Sequence, residues 1–288
     1  MGSFSILNNI SGLNAQNQLN INNVNLSRTL LRLSSGKRIN SGADDAAGLQ
    51  IADSLRANTY ALNQAIRNAN DGISVSQIAD GALQEITNLL TRAVTLAEEA
   101  STETTDSSGR ASLDAEFAQI NAEMSRIAEQ TNFNGTKLFG SGSTGLDGSL
   151  TVYVGDMSGA SSISVTISVI STSSDKITGF GGSTGDLSST DLTTIAGAQS
   201  AFTTIQTALN AVSNMRASIG AGINRLQAAV SVLQTQSTNT AAAESTIRDA
   251  NVAEEIANLT KYQILAQSGI AALAQANATS QNVLSLLR

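Results

Sequence analysis

Adjacent acidic residues are the first candidates for chemistry in this sequence, and they occur as three pairs: Asp44-Asp45, Glu98-Glu99 and Glu254-Glu255. Two converging carboxylates could act as a general acid and a general base. Neighbouring residues on a helix point about 100° apart, so these pairs do not converge if they are helical. We predict instead that Asp44 or Asp45 supplies favourable negative charge near the start of a helix.

Two short motifs also match patterns known from enzymes. Residues 34–37, SSGK, match the S-x-x-K of penicillin-binding enzymes, but the partner motifs of that class are absent. Residues 140–145 match G-x-G-x-x-G, which binds a dinucleotide only between a strand and a helix. Here a predicted strand follows it, so we interpret it as a loop. Since the chain also has no His and no Cys, we predict no catalytic residues, no metal site and no cofactor.

Charge and hydropathy limit the partners of the chain. The formal net charge is −7 over 288 residues, and phosphate binding needs clustered Lys and Arg, so we predict no nucleic-acid partner. The sequence has no run of 18 apolar residues that could cross a membrane. Its first ten residues, MGSFSILNNI, lack the basic and apolar regions of a secretory signal peptide.

Long helices are predicted by apolar residues that recur in steps of three and four. The longest such series begins at Ile195 and contains one polar residue, Arg216; it reads Ile195, Ala198, Phe202, Ile205, Leu209, Val212, Arg216, Ile219, Ile223, Leu226, Val230, Leu233. A heptad pattern of this length is typical of a coiled-coil-like helix. A second continuous helix is predicted from about Asp44 to Ala100, although Asn70-Asp71-Gly72 within it resembles a turn.

The middle of the chain has a different pattern. Residues 140–194 are rich in Gly, Ser and Thr, and apolar residues alternate with polar ones at 150–154 and 163–169. This alternation predicts a β-hairpin whose connection includes residues 156–159. The sequence therefore predicts a mainly α fold: a long antiparallel coiled-coil-like helical rod with paired N- and C-terminal helices and a small central β-hairpin.

Both ends of the chain lack charge. Residues 1–27 and 262–287 contain no charged side chain, whereas a helix exposed to water normally carries charges on its outer face. Near the N-terminus we predict two apolar stripes, and hence at least two packing partners: Ile6, Ile10, Leu13, Val24 and Leu31 in one, Leu19, Leu26, Leu30 and Leu33 in the other. The alternative is a pair of disordered tails, but the heptad pattern continues to Leu287. We therefore expect the ends to fold by packing against other copies.

Sequence blocks spread over both halves of the chain now indicate a family. They are LSSGKRINS and DDAAG at residues 33–48, RNANDGIS at 67–74, QTNFNGTK at 130–137, QILAQSG at 263–269, LAQAN at 273–277 and NVLSLLR at 282–288. Together they resemble bacterial flagellin, over about residues 1–140 and 195–288. One departure is Ser280, where the family usually has Pro.

The resemblance implies an extracellular structural subunit that assembles into the helical flagellar filament for swimming. It implies that residues 1–43 and 256–288 form paired terminal helices of an inner tube, that 44–139 and 195–255 form a helical rod around it, and that 140–194 replace the large outer domains of other flagellins. The inner-tube assembly residues would be Ile6, Ile10, Leu13, Val24, Leu31, Ile256, Leu259, Ile270, Leu273, Leu284 and Leu287.

The resemblance also implies partners. Besides other copies of itself, these are a flagellar export chaperone, cap and junction proteins, and the animal Toll-like receptor for flagellin. Export would proceed through the type III apparatus as an unfolded chain without a cleaved signal. The receptor face, shared with neighbouring subunits, would comprise Leu90, Arg92, Leu96, Glu99 and Glu116, although Val94 and Thr95 stand where the family motif has Arg and Glu. The alternative for Leu96 is a core position.

Two other functions are compatible with flagellin-like ends. The nearest is a hook-filament junction protein, which is similar at both ends but is present in few copies. The other is an exported enzyme with a catalytic centre in the middle. Residues 140–194 offer for that role only Asp147, Asp156, Asp175, Asp186 and Asp191, and no His.

Overall fold

The computed structural model describes residues 9–140, 145–156, 159, 161–173, 176–180 and 185–285. Its helices are α1 (Ile10–Ser35), α2 (Ala46–Ala100), α3 (Ser107–Gln130), α4 (Ile195–Arg248) and α5 (Val252–Ser285). Its strands are β1 (Asn132–Phe133), β2 (Thr136–Lys137), β3 (Ser149–Tyr153), β4 (Ser162–Thr166), β5 (Ile170–Ser173) and β6 (Lys176–Phe180). The mainly α prediction is confirmed. Among the described residues, no helix combines the length and apolar character needed to cross a lipid bilayer.

The chain divides into two compact units. The first comes from the two ends of the sequence, up to Ala57 and from Asn239 onward, and the second is Asn58–Thr238. The boundaries predicted at residues 43/44 and 255/256 separate the inner tube of a filament from the rod around it. They concern the polymer and not the single chain, so they stay a prediction.

Side chains at the helix starts determine where several helices begin. The Asn9 carboxamide accepts the N–H of Gly12 at α1, the Asp45 carboxylate accepts that of Gly48 at α2, and Asp106 accepts that of Gly109 at α3. Each bond satisfies a backbone donor that the first helical turn leaves unpaired. Of the two candidates Asp44 and Asp45, it is therefore Asp45 that caps the start of α2. The α1 helix ends at Ser35 and is followed by Gly36, whose φ of 69° is left-handed.

A hydrophobic core lies in the second unit, among α2, α3, α4 and the strands. On α4 one heptad series of the prediction is buried: Ala198, Ile205, Val212, Ile219, Leu226 and Leu233. The other predicted series, Phe202, Leu209, Arg216 and Ile223, lies at the edge of the core or in solvent, and Ala201, Ala208, Met215 and Gly222 are buried instead. The buried residues of α4 still form one stripe in steps of three and four, but every second position of it lies one residue before the predicted one.

The edge position of Arg216 explains its place in an apolar series. Its guanidinium donates from Nε to the Asp80 carboxylate of α2 at 2.8 Å, and both side chains are about one third exposed. This hydrogen bond and the nearby negative charge raise the pKa of Arg216 above its ordinary value. The aliphatic part of the Arg216 side chain therefore packs at the edge of the core, while its guanidinium is paired with Asp80 at the surface.

The predicted hairpin is confirmed, with β3 antiparallel to β4 and Val152 opposite Ile163. It lies on helices at two glycines. A Cβ added to Gly72 of α2 would stand 2.5 Å from Val152, and one added to Gly222 of α4 would stand 2.5 Å from Val165. The Asn-Asp-Gly sequence that resembled a turn is therefore inside a continuous helix, as predicted, and its glycine provides room for a strand.

The structure adds two antiparallel pairs to the predicted hairpin: β1 with β2, and β5 with β6, the latter where the sequence predicted only a loop. The β5–β6 pair is packed beside α3. Asn121 of α3, which is 1% exposed, holds this region from both sides. Its Oδ1 accepts the N–H of Ile177 in β6 at 3.0 Å, and its Nδ2 donates to the Leu187 carbonyl at 3.1 Å. Because both partners are more than fifty residues away in sequence, no local pattern indicated this arrangement.

Candidate assembly interface

The first unit is organised around the contact between α1 and α5, which run antiparallel. The Asn9 carboxamide donates to the Ala276 carbonyl at 3.1 Å, and Leu19 packs beside Gly269 further along. At the other end, Arg32 lies 3.5 Å from the carboxylate of Glu255, a residue that is buried. The N- and C-terminal helices are therefore paired over most of the length of α1, as predicted.

The two predicted stripes of α1 have different environments. Leu19, Leu26 and Leu33 recur every seven residues and are half-buried on the side of α5, together with the buried polar residues Asn22 and Thr29. Leu30, which was assigned to this stripe, is 47% exposed. Sequence reasoning did not identify Asn22 and Thr29, because short polar side chains give no apolar signal.

The other stripe is exposed to solvent. Its members lie on the side of α1 away from α5 and are half to two thirds exposed: Ile10 63%, Leu13 60%, Val24 52% and Leu31 56%, with Ile21 at 53% as a member that the sequence analysis omitted. Val24 and Leu31 line a shallow groove with Asn23, Ser27 and Arg28. Contiguous exposed apolar surface of this kind marks an interaction site.

The predicted residues of α5 fall into two groups. Leu259 and Leu273 are half-buried on the side of α1. Ile256 and Ile270 are 50% and 59% exposed, as is Ile264 at 58%, which the prediction did not include. Ile6 and Leu287 lie outside the described residues, and so does the side chain of Leu284.

The turn between α1 and α2 is held together by the side chain of Asp44. The Asp44 carboxylate accepts the backbone N–H groups of Ser41 at 3.0 Å and Asn40 at 3.3 Å. These bonds, the one to Ser41 first, lower the pKa of Asp44 below its ordinary value. Since the pKa is lowered on folding, the stabilisation is present at neutral pH and is lost as the pH falls through the folded-state pKa.

The residues predicted for the receptor face do not all lie at the surface. Leu90 and Leu96 are fully buried in the core of the second unit, so the alternative that Leu96 is a core residue describes its position. Arg92 is exposed, and its Nη2 lies 2.7 Å from the Glu116 carboxylate of α3. Glu99 is exposed as well. The accessible part of this face is therefore charged.

The paired acids do not form a catalytic dyad in the described structure. Glu98 and Glu99 are both exposed, whereas Glu254 is exposed and Glu255 is buried beside Arg32. No cluster of three or more acidic residues with metal-binding spacing occurs among the described residues.

Comparisons with known proteins agree with this arrangement. Residues 6–144 match the bacterial flagellin N-terminal helical region, and residues 202–287 match the bacterial flagellin C-terminal helical region. A flagellin of Halalkalibacterium halodurans is 38% identical over 283 residues, which cover 98% of this chain and 99% of the relative. A flagellar filament 31.3 kDa core protein of Treponema maltophilum is 35% identical over 293 residues, with the same coverage.

Among solved structures, the crystal structure of Bacillus cereus flagellin is similar with a TM-score of 0.48 and 29% identity, over 62% of this chain and 94% of that one. Both family regions match, and the relative from Halalkalibacterium halodurans aligns over nearly the whole chain, so the family assignment does not rest on helical content alone. The chain belongs to the bacterial flagellins.

Proposed function

We propose that this chain is the structural subunit of a bacterial flagellar filament and acts in swimming motility by assembling with copies of itself. The observation that carries the proposal is the exposed apolar stripe of α1 on the side away from α5. An exposed apolar stripe of this kind can be buried by binding another chain. Heterologous contacts between identical subunits generate open helical filaments. The relatives named above carry flagellin or filament names, which gives no support to the alternative of a junction protein.

The proposal includes the layers that the family resemblance implies. Residues 1–43 and 256–288 would form the inner tube, 44–139 and 195–255 the surrounding rod, and 140–194 the outermost part. The near absence of charge at both ends supports an inner position, because an unpaired charge is costly to bury while a hydrogen-bonded amide is not. The proposal also includes export as an unfolded chain without a cleaved signal, with a chaperone and with cap and junction proteins, as the family resemblance implies. No catalytic activity is part of this function.

Electron microscopy of the purified chain with added filament seeds tests the proposal, and Val24→Asp tests the stripe that carries it. We expect the wild type to form filaments and the variant to form none, because an unpaired carboxylate in a buried seam costs several kcal/mol. The free energy of unfolding of the monomer should change by less than about 0.5 kcal/mol, since Val24 is 52% exposed there.

Val232→Asp is the matched control. It makes the same chemical change at a position of α4 that is 65% exposed, outside the terminal helices. This variant should still form filaments. Filaments of normal length from Val24→Asp would remove the assembly role of the stripe.

We also propose that the monomer binds the animal Toll-like receptor for flagellin through Arg92, Glu99 and Glu116, and that the polymer hides this face. The proposal is supported by the exposure of Arg92 and Glu99 and the partial exposure of Glu116. It is also supported by the role of arginine as an interface anchor. Leu90 and Leu96 would then hold the helix in place from the core.

Arg92→Ala should lower receptor signalling by monomers about tenfold or more, which corresponds to about 1.4 kcal/mol. Its ion pair with Glu116 is exposed, so the fold should lose less than about 1 kcal/mol. Arg126→Ala, which removes an exposed arginine paired with Glu123 on α3, is the control and should signal normally. Equal signalling by the Arg92 variant and the wild type would contradict the proposal.

A further inference from the structure

An outward face of α2 in the second unit carries a tyrosine and an arginine that no part of the described structure covers. Tyr60 is 67% exposed, although tyrosine is among the rarest residues of this chain, with three in total. Arg67 is exposed and lies two helical turns further on. Tyrosine and arginine are, with tryptophan, the residues enriched at the energetic centres of protein interfaces.

The arginine of this face is held in place without a carboxylate partner. Its Nε donates to the Gln64 side-chain oxygen at 3.1 Å, and Gln64 in turn donates to Asn68 at 2.8 Å. Asn68 donates to the Tyr153 carbonyl of the hairpin at 3.2 Å. This row of amides orients Arg67 and leaves its positive charge uncompensated by any ion pair among the described residues.

The opposite charge is concentrated at the far end of the same unit, where α2 ends, α3 begins and α4 begins. Five exposed carboxylates lie there, and none is in an ion pair within the described ranges: Glu98, Glu99, Glu103, Asp106 and Asp191. The one nearby cation, Arg110, uses its guanidinium to hold the Thr105 and Thr193 carbonyls.

Two of these acids stand where a helix disfavours them. Glu98 and Glu99 lie at the end of α2, whose last turn has no basic residue. The C-terminal end of a helix carries partial negative charge, so cations are favourable there and anions are not. A cation supplied from outside the chain would relieve this repulsion.

The face around Tyr60 and Arg67 and the acidic end of the unit have opposite charges, but they are too far apart to meet within one copy. Arg67 and Glu98 are 31 residues apart on one continuous helix, which is about 46 Å at 1.5 Å per residue. We propose that the face of α2 around Tyr60 and Arg67 binds the acidic end of the second unit of another copy, with Arg67 paired to Glu98 or Glu99. This contact rests on the proposed filament function and adds a second seam to that of the terminal helices.

The geometry of the contact has a measurable consequence. The acceptor and donor surfaces differ, so the contact repeats in one direction and builds an open row of copies. The displacement of successive copies along the α2 axis is then the distance between the two surfaces, roughly 45–60 Å for the pairs from Arg67–Glu98 to Tyr60–Glu99. Reconstruction of the filament by electron microscopy measures this displacement directly.

Charge reversal tests which residues meet. Arg67→Glu, and separately the pair Glu98→Lys with Glu99→Lys, should each slow seeded elongation about tenfold or more in dilute sodium chloride, because like charges then face each other. The chain that carries all three changes should elongate at close to the wild-type rate. An equimolar mixture of the two impaired variants should also elongate, since each supplies the charge that the other now needs.

Matched controls reverse exposed charges of the same unit that lie outside both surfaces. Arg225→Glu on α4 and Glu85→Lys on α2 should elongate like the wild type. Circular dichroism and thermal unfolding of every monomer verify that the fold is intact. Added sodium chloride should reduce the difference between wild type and Arg67→Glu, because salt screens exposed charges.

The outcomes separate this contact from the proposed function. If the wild type elongates and the single-surface variants elongate equally well, the contact is refuted while the filament function stands. Impaired variants that neither the triple change nor the mixture restores would also refute the pairing, because Arg67 would then serve another surface. If the wild type forms no filament, the filament function fails and this contact fails with it.

Discussion

A chain that ends at Lys261 is expected to remain folded in its second unit and to form no filaments. The truncation removes α5 from Tyr262 onward, including the half-buried Leu273 that faces α1. The buried core of the second unit uses no residue beyond Leu233, so its thermal unfolding should shift by no more than a few degrees. The α1 helix loses its partner, and the surface that would bury its exposed stripe in a polymer is incomplete.

Seeded elongation followed by electron microscopy measures the loss, and circular dichroism measures the helix that remains. Leu284→Asp in the full chain should also abolish filaments, since it places a carboxylate in the uncharged segment 262–287. Leu284→Met conserves volume and hydrophobicity and should leave assembly intact. Ordinary filaments from the truncated chain would show that the C-terminal helix is dispensable for assembly.

Alanine at Gly72 and alanine at Gly81 should change stability in opposite directions, although both glycines lie on α2. The new Cβ at Gly72 would stand 2.5 Å from Val152, whose branched side chain is stiff. The hairpin must move away, and we expect the free energy of unfolding to fall by about 1–3 kcal/mol. At Gly81 there is nothing within 4 Å, so alanine should raise the free energy of unfolding by about 0.5–1 kcal/mol through helix propensity.

The same contrast exists on α4. A Cβ at Gly222 would stand within 3.1 Å of three atoms of Val165, whereas one at Gly220 would meet nothing within 4 Å. Gly222→Ala should therefore destabilise and Gly220→Ala should not, as measured by denaturant unfolding. Val165→Ala should recover part of the loss in the Gly222 variant, because it removes the two methyl groups nearest the new Cβ. Equal effects at the two positions would show that the hairpin does not need these glycines.

The sequence by itself determined the helices, the β3–β4 hairpin and the family. Each depends on signals that are local or nearly so: apolar residues at steps of three and four, alternation along two strands, and motifs in fixed order. The continuity of α2 through Asn70-Asp71-Gly72 also followed from periodicity, because a long amphipathic pattern outweighs one local turn signal. The uncharged ends indicated burial, and the packing against other copies that we inferred from them stays a prediction.

The tertiary structure decided which side of each element is used. It places Leu19, Leu26 and Leu33 of α1 against α5 and leaves the stripe with Val24 exposed. It moves half of the buried stripe of α4 by one residue, and it buries Leu90 and Leu96 where a receptor face was predicted. A helical pattern shows that a side chain is apolar at a given angle, but the neighbouring elements determine which angles are covered.

Contacts distant in sequence were also decided only by the tertiary structure. Gly72 is matched to Val152, Gly222 to Val165, and Asn121 to the backbone of Ile177 and Leu187. None of these residues has a signal in its own surroundings, because a glycine in a helix and a single asparagine are common in many folds. The role of each glycine depends on the valine that occupies the space of a missing Cβ, and the role of Asn121 depends on two backbone groups about 3 Å away. These positions depend on the packing of all the elements together.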